Sequence, residues 1–217
     1  MTGPLRPVMT VIAGPNGSGK TTLTKKLLGH EWTRGAAYIN ADEIARDRFG
    51  DWNSPQAVVQ AAEFADKLRA TYIENSENFA YETVFSTPKR VDDLTRAQNA
   101  GFFLRFFFVA TADPSINIAR VKRRVQSGGH DVPEERIVER YHRSIANLLP
   151  ALRTADRGYV IDNSADDRDS QMLFRTVAGR IKRVYGKEPP GWSNAAFSAL
   201  LRDDTAPGAP PRPPGPS

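Results

Sequence analysis

The octapeptide Gly14-Pro15-Asn16-Gly17-Ser18-Gly19-Lys20-Thr21 constrains this chain more than any other feature. It matches G-x-x-x-x-G-K-[ST], follows the apolar run Val8–Ala13 and precedes the helically spaced stretch Lys20–Leu28. Glycines let the backbone turn tightly enough for successive amides to point at one phosphate, and the helix that follows adds its positive end. On this reading Gly14, Pro15, Asn16, Gly17, Ser18, Gly19, Lys20, Thr21 and Thr22 cradle the phosphates of ATP or GTP. Lys20 reaches the β and γ phosphates, and the Thr21 hydroxyl is placed for Mg²⁺.

A phosphate loop of this kind sits between a buried strand and a helix, and the rest of the chain continues the alternation. Ala37–Asn40, Phe79–Thr83, Phe102–Ala110 and Gly158–Asp162 read as further strands. Helices are predicted from Ser54-Pro55 to about Ile73, over Lys89–Ala100, from Asp113-Pro114 to Gln126, from Pro133 to about Leu152, and from about Arg168 to Val184. The fold class is therefore α/β: a P-loop kinase-like three-layer α/β/α arrangement, with a mostly parallel central sheet of about five strands and a helical lid. Ligands should sit at the carboxyl ends of the strands. Residues 1–7 are expected to be loose, residues 8–204 to form the domain, and residues 205–217, with six of the sixteen prolines, to form a disordered tail.

Composition narrows the chemistry. The 217 residues include no cysteine, which excludes disulfides, thiolate metal sites and a cysteine nucleophile. A net charge of +5 favours anionic partners. The strongest apolar run, Phe102–Ala110, is interrupted by Arg105 and too short to span a bilayer, and the N-terminal stretch lacks the form of a secretory signal. A cytoplasmic location without membrane attachment is expected.

What happens to the phosphate is read from the strand ends. Phe102–Ala110 runs into Thr111 where a motor or switch ATPase would carry its Walker-B aspartate. In small-molecule kinases the second strand ends in an acid facing the acceptor hydroxyl, and arginines close over the phosphates. Ile39-Asn40-Ala41-Asp42-Glu43 fits this: Asp42 is the candidate general base, with Glu43 as runner-up and a helix cap as its plain alternative. The third strand ends in Glu82-Thr83 and leads to Ser86, a set that suits hydrogen bonding to an acceptor, or a charged strand end followed by a cap. Glu63 and Asp66 are weaker candidates for the same pocket. Arg120, Arg123 and Arg124 share one helix face, and Arg136, Arg140 and Arg143 share another across the Gly128-Gly129 hinge. Of these, Arg120, Arg124 and Arg140 are the candidate catalytic arginines, with a solvated helix face as the alternative. The loop Asp162-Asn163-Ser164 stands where a nucleotide base could lie. No aromatic residues interleave the arginines, so nucleic acid is not the expected partner. A nucleotide switch or nucleic-acid-associated ATPase is the alternative function.

The segments GPNGSGKTT, NADEIA, YETVFST and RVKRRVQSGGHDVPEERIVERYHRSIANL, in this order, resemble the zeta-toxin family of P-loop kinases in a short version, over roughly Val8 to Val184. That resemblance implies phosphorylation of a nucleotide-sugar, UDP-N-acetylglucosamine, with an antitoxin protein as partner. It implies Asp42 as base, Lys20 on the phosphates, Glu82 on the sugar-nucleotide and lid arginines on the transferred phosphoryl. His130, a substrate-side candidate, stands where larger members carry an arginine shortly before the proline at Pro133.

Overall fold

The structure, a computed structural model, describes residues 6–50, 54–186 and 189–205. In chain order these form β1 (Val8–Ala13), α1 (Lys20–Leu28), a 3-10 turn (Glu31–Thr33), β2 (Ala37–Ile39), α2 (Ala41–Phe49), α3 (Pro55–Glu74), β3 (Phe79–Thr83), α4 (Lys89–Asn99), β4 (Phe103–Ala110), α5 (Pro114–Gln126), α6 (Glu134–Ala146), α7 (Leu148–Thr154), β5 (Arg157–Asp162), β6 (Gln171–Val177), β7 (Arg180–Val184) and α8 (Gly191–Thr205). The expected α/β architecture is present. The sheet has seven strands rather than about five, in the order β2-β3-β1-β4-β5-β6-β7.

The first five strands are parallel, and both of their faces are covered. One face carries the larger core, with Phe79, Tyr81, Phe102, Phe106 and Phe108 packed beneath α3, α4, α7 and α8. The other carries Ile12, Phe107, Val109 and Ile161 beneath Leu23 and Leu27 of α1. This two-sided burial accounts for β4 reading as an almost unbroken apolar run.

Three sequence expectations are corrected. The stretch 168–184 is a hairpin, not a helix: β6 and β7 pair antiparallel across Ala178 (φ 50°) and Gly179 (φ 78°). A two-residue turn with positive φ at both positions matches the twist of paired strands. Thr176, Val177, Ile181 and Val184 add β-branched side chains that favour strands. The predicted helix from Pro133 to Leu152 is two helices, α6 and α7, that meet at Asn147. Pro150 lacks the N–H that a continuous helix would donate to Ala146, but sits comfortably in the first turn of a new one. Asp42 stands in the first turn of α2, not at the end of a strand, because the Asn40 side chain accepts from the Asp42 amide at 3.0 Å and starts the helix there.

Of the N-terminal residues expected to be loose, 1–5 lie outside the described residues. Arg6 is held: its guanidinium donates to the Gly101 and Phe102 carbonyls and pairs with Asp156 at 3.2 Å. The proline-rich tail also lies outside the described residues, apart from Thr205 at the end of α8.

Candidate active site

The phosphate loop leaves β1 where Ala13 lies beside Thr83 of β3, and the Gly14 amide donates to the Thr83 carbonyl at 3.2 Å. Its glycines are dictated by space as well as by φ. A Cβ on Gly14 (φ 146°) would lie 2.0 Å from the Val109 carbonyl oxygen, and one on Gly17 (φ 73°) 2.6 Å from the Asn117 carbonyl oxygen. Three of the loop's carbonyls are engaged by side chains: Pro15 by Lys20 Nζ at 2.8 Å, Asn16 by Asn117 Nδ2 at 2.5 Å, and Ser18 by Asn163 Nδ2 at 2.8 Å. A turn held by its carbonyls in this way has amides to offer an anion.

In front of the loop lies a cleft of about 590 Å³. Lys20, Thr21, Asp42, Glu82, Arg124 and Arg140 all line it, and they come from α1, α2, β3, α5 and α6. Glu82 reaches this position because it pairs with Ile12 one residue before the end of β1. The Thr21 hydroxyl donates to Glu82 Oε2 at 3.3 Å, while Glu82 Oε1 is buried without a hydrogen-bond partner among the described residues. A hydroxyl beside an unsatisfied carboxylate oxygen is a hard-oxygen donor set of the kind Mg²⁺ takes together with phosphate and water.

The cleft concentrates positive charge. Burial pushes the Lys20 ammonium below its ordinary range; Glu82 and Asp42 oppose this, and Arg124 and Arg140 add to it. Burial, and then Arg136, also lowers Arg140, with Asp42 opposing. Cations that weaken one another in this way gain most from a bound anion. Of the two candidate acids on α2, Asp42 lines the cleft. Glu43 does not. It lies beside the Asn40 side chain at 3.5 Å, and burial raises its carboxyl, with Arg46 opposing and Glu82 adding to the rise.

The three lid arginines are not equivalent. Arg120 lines the cleft but is committed to the loop after β5, donating to the Asn163 carbonyl at 2.7 Å and to Asp166 at 2.6 Å and 2.9 Å. Arg123 joins it on Asp166 at 2.6 Å. Arg124 donates to the His130 carbonyl at 2.7 Å, and Arg140 projects from α6. His130 itself is absent from the cleft lining. A second cavity of about 230 Å³, lined by Gly19, Thr22, Leu23, Asn163 and Asp166 among others, opens on the far side of the loop.

The cleft continues away from the phosphate loop between α3 and residues 83–87. Thr83, Ser86 and Thr87 line it from one side, and Val58, Ala62, Ala65 and Arg69 from the other. Phe85 anchors this segment with a left-handed backbone (φ 58°), its ring buried against Phe106 at 5.2 Å. Arg69 and Arg90 are lining residues that sequence reasoning did not pick out. Asp66 sets both: it pairs with Arg69, and with Arg90 at 2.8 Å, so it supports the cleft wall rather than lining it. Glu63 is exposed and outside the lining. Arg69 did leave a signal, since Ala57, Ala61, Ala65, Arg69 and Ile73 recur every fourth residue on the buried face of α3, and an arginine in such a stripe needs a polar destination.

The family model described as Zeta toxin matches residues 1–175. An uncharacterized protein from Haemophilus influenzae is 30% identical over 130 residues, which is 59% of this chain and 88% of that one. Among solved structures, the AvrRxo1-ORF1:AvrRxo1-ORF2 complex with ATP superposes with a TM-score of 0.64 at 17% identity, over 95% of this chain and 66% of that chain. In the same complex with sulfate ions this chain spans 60% of the matched chain's length. The PezAT toxin-antitoxin system of Streptococcus pneumoniae gives a TM-score of 0.57 at 13% identity, over 93% of this chain and 87% of that chain.

Proposed function

This chain belongs to the zeta toxin family, and we propose that it transfers the γ-phosphoryl group of ATP or GTP to a hydroxyl of a small-molecule acceptor, with a nucleotide-sugar such as UDP-N-acetylglucosamine as the first acceptor to test. The observation that carries this reading is that one cleft gathers the phosphate loop, an acid on α2 and arginines from two lid helices. Among the P-loop alternatives, a switch or motor is disfavoured by the end of β4. Thr111 stands in the Walker-B place, and its hydroxyl is committed to Asn117.

In this reading the loop amides and Lys20 hold the nucleotide phosphates. The base lies toward Asn163 and the second cavity. Thr21 and Glu82 would hold Mg²⁺, which would supply charge neutralisation on the phosphates. Asp42 accepts the proton of the acceptor hydroxyl and orients its oxygen. Arg124 and Arg140 stabilise charge on the phosphoryl group in transit, a role worth about 10³–10⁵ in rate for arginines so placed. Thr83 and Ser86 hydrogen-bond the acceptor, with Glu82 placed beside Thr21 on the metal side instead, and Arg69 and Arg90 suit an acceptor that carries an anionic group. An antitoxin-like protein is the partner this reading brings with it. Among the described residues, no helix is long and apolar enough to cross a membrane.

The test is labelled ATP with UDP-N-acetylglucosamine and, in parallel, with a metabolite extract, using the wild type and Lys20→Ala. A labelled small molecule formed by the wild type alone supports the reading. Acceptor-independent hydrolysis as the only activity would replace it with the switch reading.

A further inference from the structure

The phosphate loop is joined to the acceptor side of the cleft by a buried polar chain that none of the proposed chemistry uses. Asn117, in the first turns of α5, is fully buried. Its Nδ2 donates to the Asn16 carbonyl at 2.5 Å, and its backbone carbonyl presses on Gly17. The amide is oriented by Thr111, also fully buried, whose hydroxyl donates to Asn117 Oδ1 and lies 3.2 Å from the Asp113 carbonyl. The Thr111 carbonyl in turn accepts from the Tyr141 hydroxyl of α6 at 2.6 Å. Tyr141 directly follows Arg140 in the sequence. One turn further along α6, Ser144 donates to the Val84 carbonyl at 2.7 Å, and Asn147 at its end donates to the Phe85 carbonyl at 2.9 Å. So the C-terminal half of α6 is bonded both to the loop after β4, through Tyr141, and to the segment that lines the acceptor region, through Ser144 and Asn147.

We propose that Asn117, Thr111 and Tyr141 are positioning residues: they fix the phosphate loop relative to α6, and thereby set Arg140 and the acceptor-lining segment 83–87 in register with the nucleotide. The chemistry fits this role. The Asn16 carbonyl can only accept and so takes the Asn117 amide nitrogen, while the Thr111 hydroxyl holds the amide oxygen, and the two together fix which way Asn117 points. Because all three side chains are buried, a broken link leaves an unsatisfied group rather than a hydrated one. The inference rests on the phosphotransferase reading of the cleft, but its first half concerns nucleotide binding alone.

The experiment compares Thr111→Val, Thr111→Ser and Tyr141→Phe. Affinity is measured with a fluorescent ATP analogue plus Mg²⁺, turnover with the identified acceptor, and nucleotide-induced protection of residues 134–146 by hydrogen exchange. Thr111→Val keeps the shape and removes the hydroxyl; it should weaken nucleotide binding about threefold to tenfold. Thr111→Ser restores the donor and should bind within about twofold of the wild type. Tyr141→Phe should leave affinity unchanged while cutting kcat and reducing the protection of α6 on nucleotide binding. If Thr111→Ser is as impaired as Thr111→Val, the threonine acts by packing and the proposal is wrong. If Tyr141→Phe leaves both kcat and the exchange of α6 as in the wild type, the chain does not reach α6. Should Thr111→Val fail to fold, the Tyr141→Phe arm decides alone. A wild type that binds nucleotide but labels no acceptor would overturn the functional reading, while the affinity and exchange arms still decide the positioning chain.

Discussion

At Asp42 the sequence presents two alternatives, and the cap itself is Asn40. Asn40-Ala41-Asp42-Glu43 reads either as a helix start or as a strand end with a catalytic acid, and the structure shows a helix start whose first turn faces the cleft. Asn40→Ala should cost about 1 kcal/mol of stability through the lost cap, measurable by chemical denaturation, and should lower activity as well, because it loosens the turn that aims Asp42. Arg69 was legible only as an arginine in a buried stripe, since its place in the cleft wall depends on Arg90 of α4, distant in sequence, sharing the Asp66 carboxylate with it. Burial raises the Asp66 carboxyl, but hydrogen bonds from Lys89 and Arg90 outweigh it and hold the group below the ordinary carboxylate range. A carboxyl lowered on folding stabilises the fold above its unfolded pKa of about 3.9 and loses that contribution as pH falls through its lower folded value. Thermal melts between pH 6 and pH 3 should therefore show an acid limb that flattens in Asp66→Asn. An unchanged limb would mean that other carboxyls carry it.

At the scale of elements, strand–helix alternation and the phosphate loop were legible because their patterns are local. The stretch 168–184 was not. Leu173, Val177, Ile181 and Val184 are spaced as on a helix, yet they belong to two strands, because Ala178-Gly179 forms the turn between them. Spacing alone cannot see a turn that falls between matching positions. The two basic helices expected on either side of Gly128-Gly129 are present as α5 and α6. The division of labour among the arginines was hidden, because Arg120 is claimed by Asp166 and two carbonyls 43 and 45 residues further on. It follows that the three alanine variants should separate. Arg124→Ala and Arg140→Ala should lower kcat by at least tenfold with little change in nucleotide affinity, as expected when an interaction is made mainly in the transition state. Arg120→Ala should chiefly weaken nucleotide binding, by releasing the loop that carries Asn163. Steady-state kinetics beside direct binding distinguish the two patterns.

On the scale of the whole molecule, α8, which lies beyond the family match at residue 175, is integral to the fold. From α8, Leu200 and Ala196 enter the main core, Phe197 packs on Phe174 at 5.2 Å, and Trp192 donates to Asp162 at 3.0 Å, next to the Asn163 that holds the phosphate loop. Leu200→Ala should destabilise by about 2–5 kcal/mol, seen as a lower denaturation midpoint with an unaltered slope. The sheet order then explains why the site forms where it does. With β1 flanked by β3 and β4, the phosphate loop emerges between Glu82 on one neighbour and the Thr111–Asn117 pair beyond the other. On the proposed reading, this junction performs phosphoryl transfer with Asp42 as the base. The most direct test is Asp42→Asn, measured for ATP–Mg²⁺ binding and for transfer to the identified acceptor on the same preparation. Transfer should fall by about 10²–10⁴ while ATP affinity changes by less than about threefold. Transfer that survives nearly intact, or ATP binding that collapses together with it, would contradict the account.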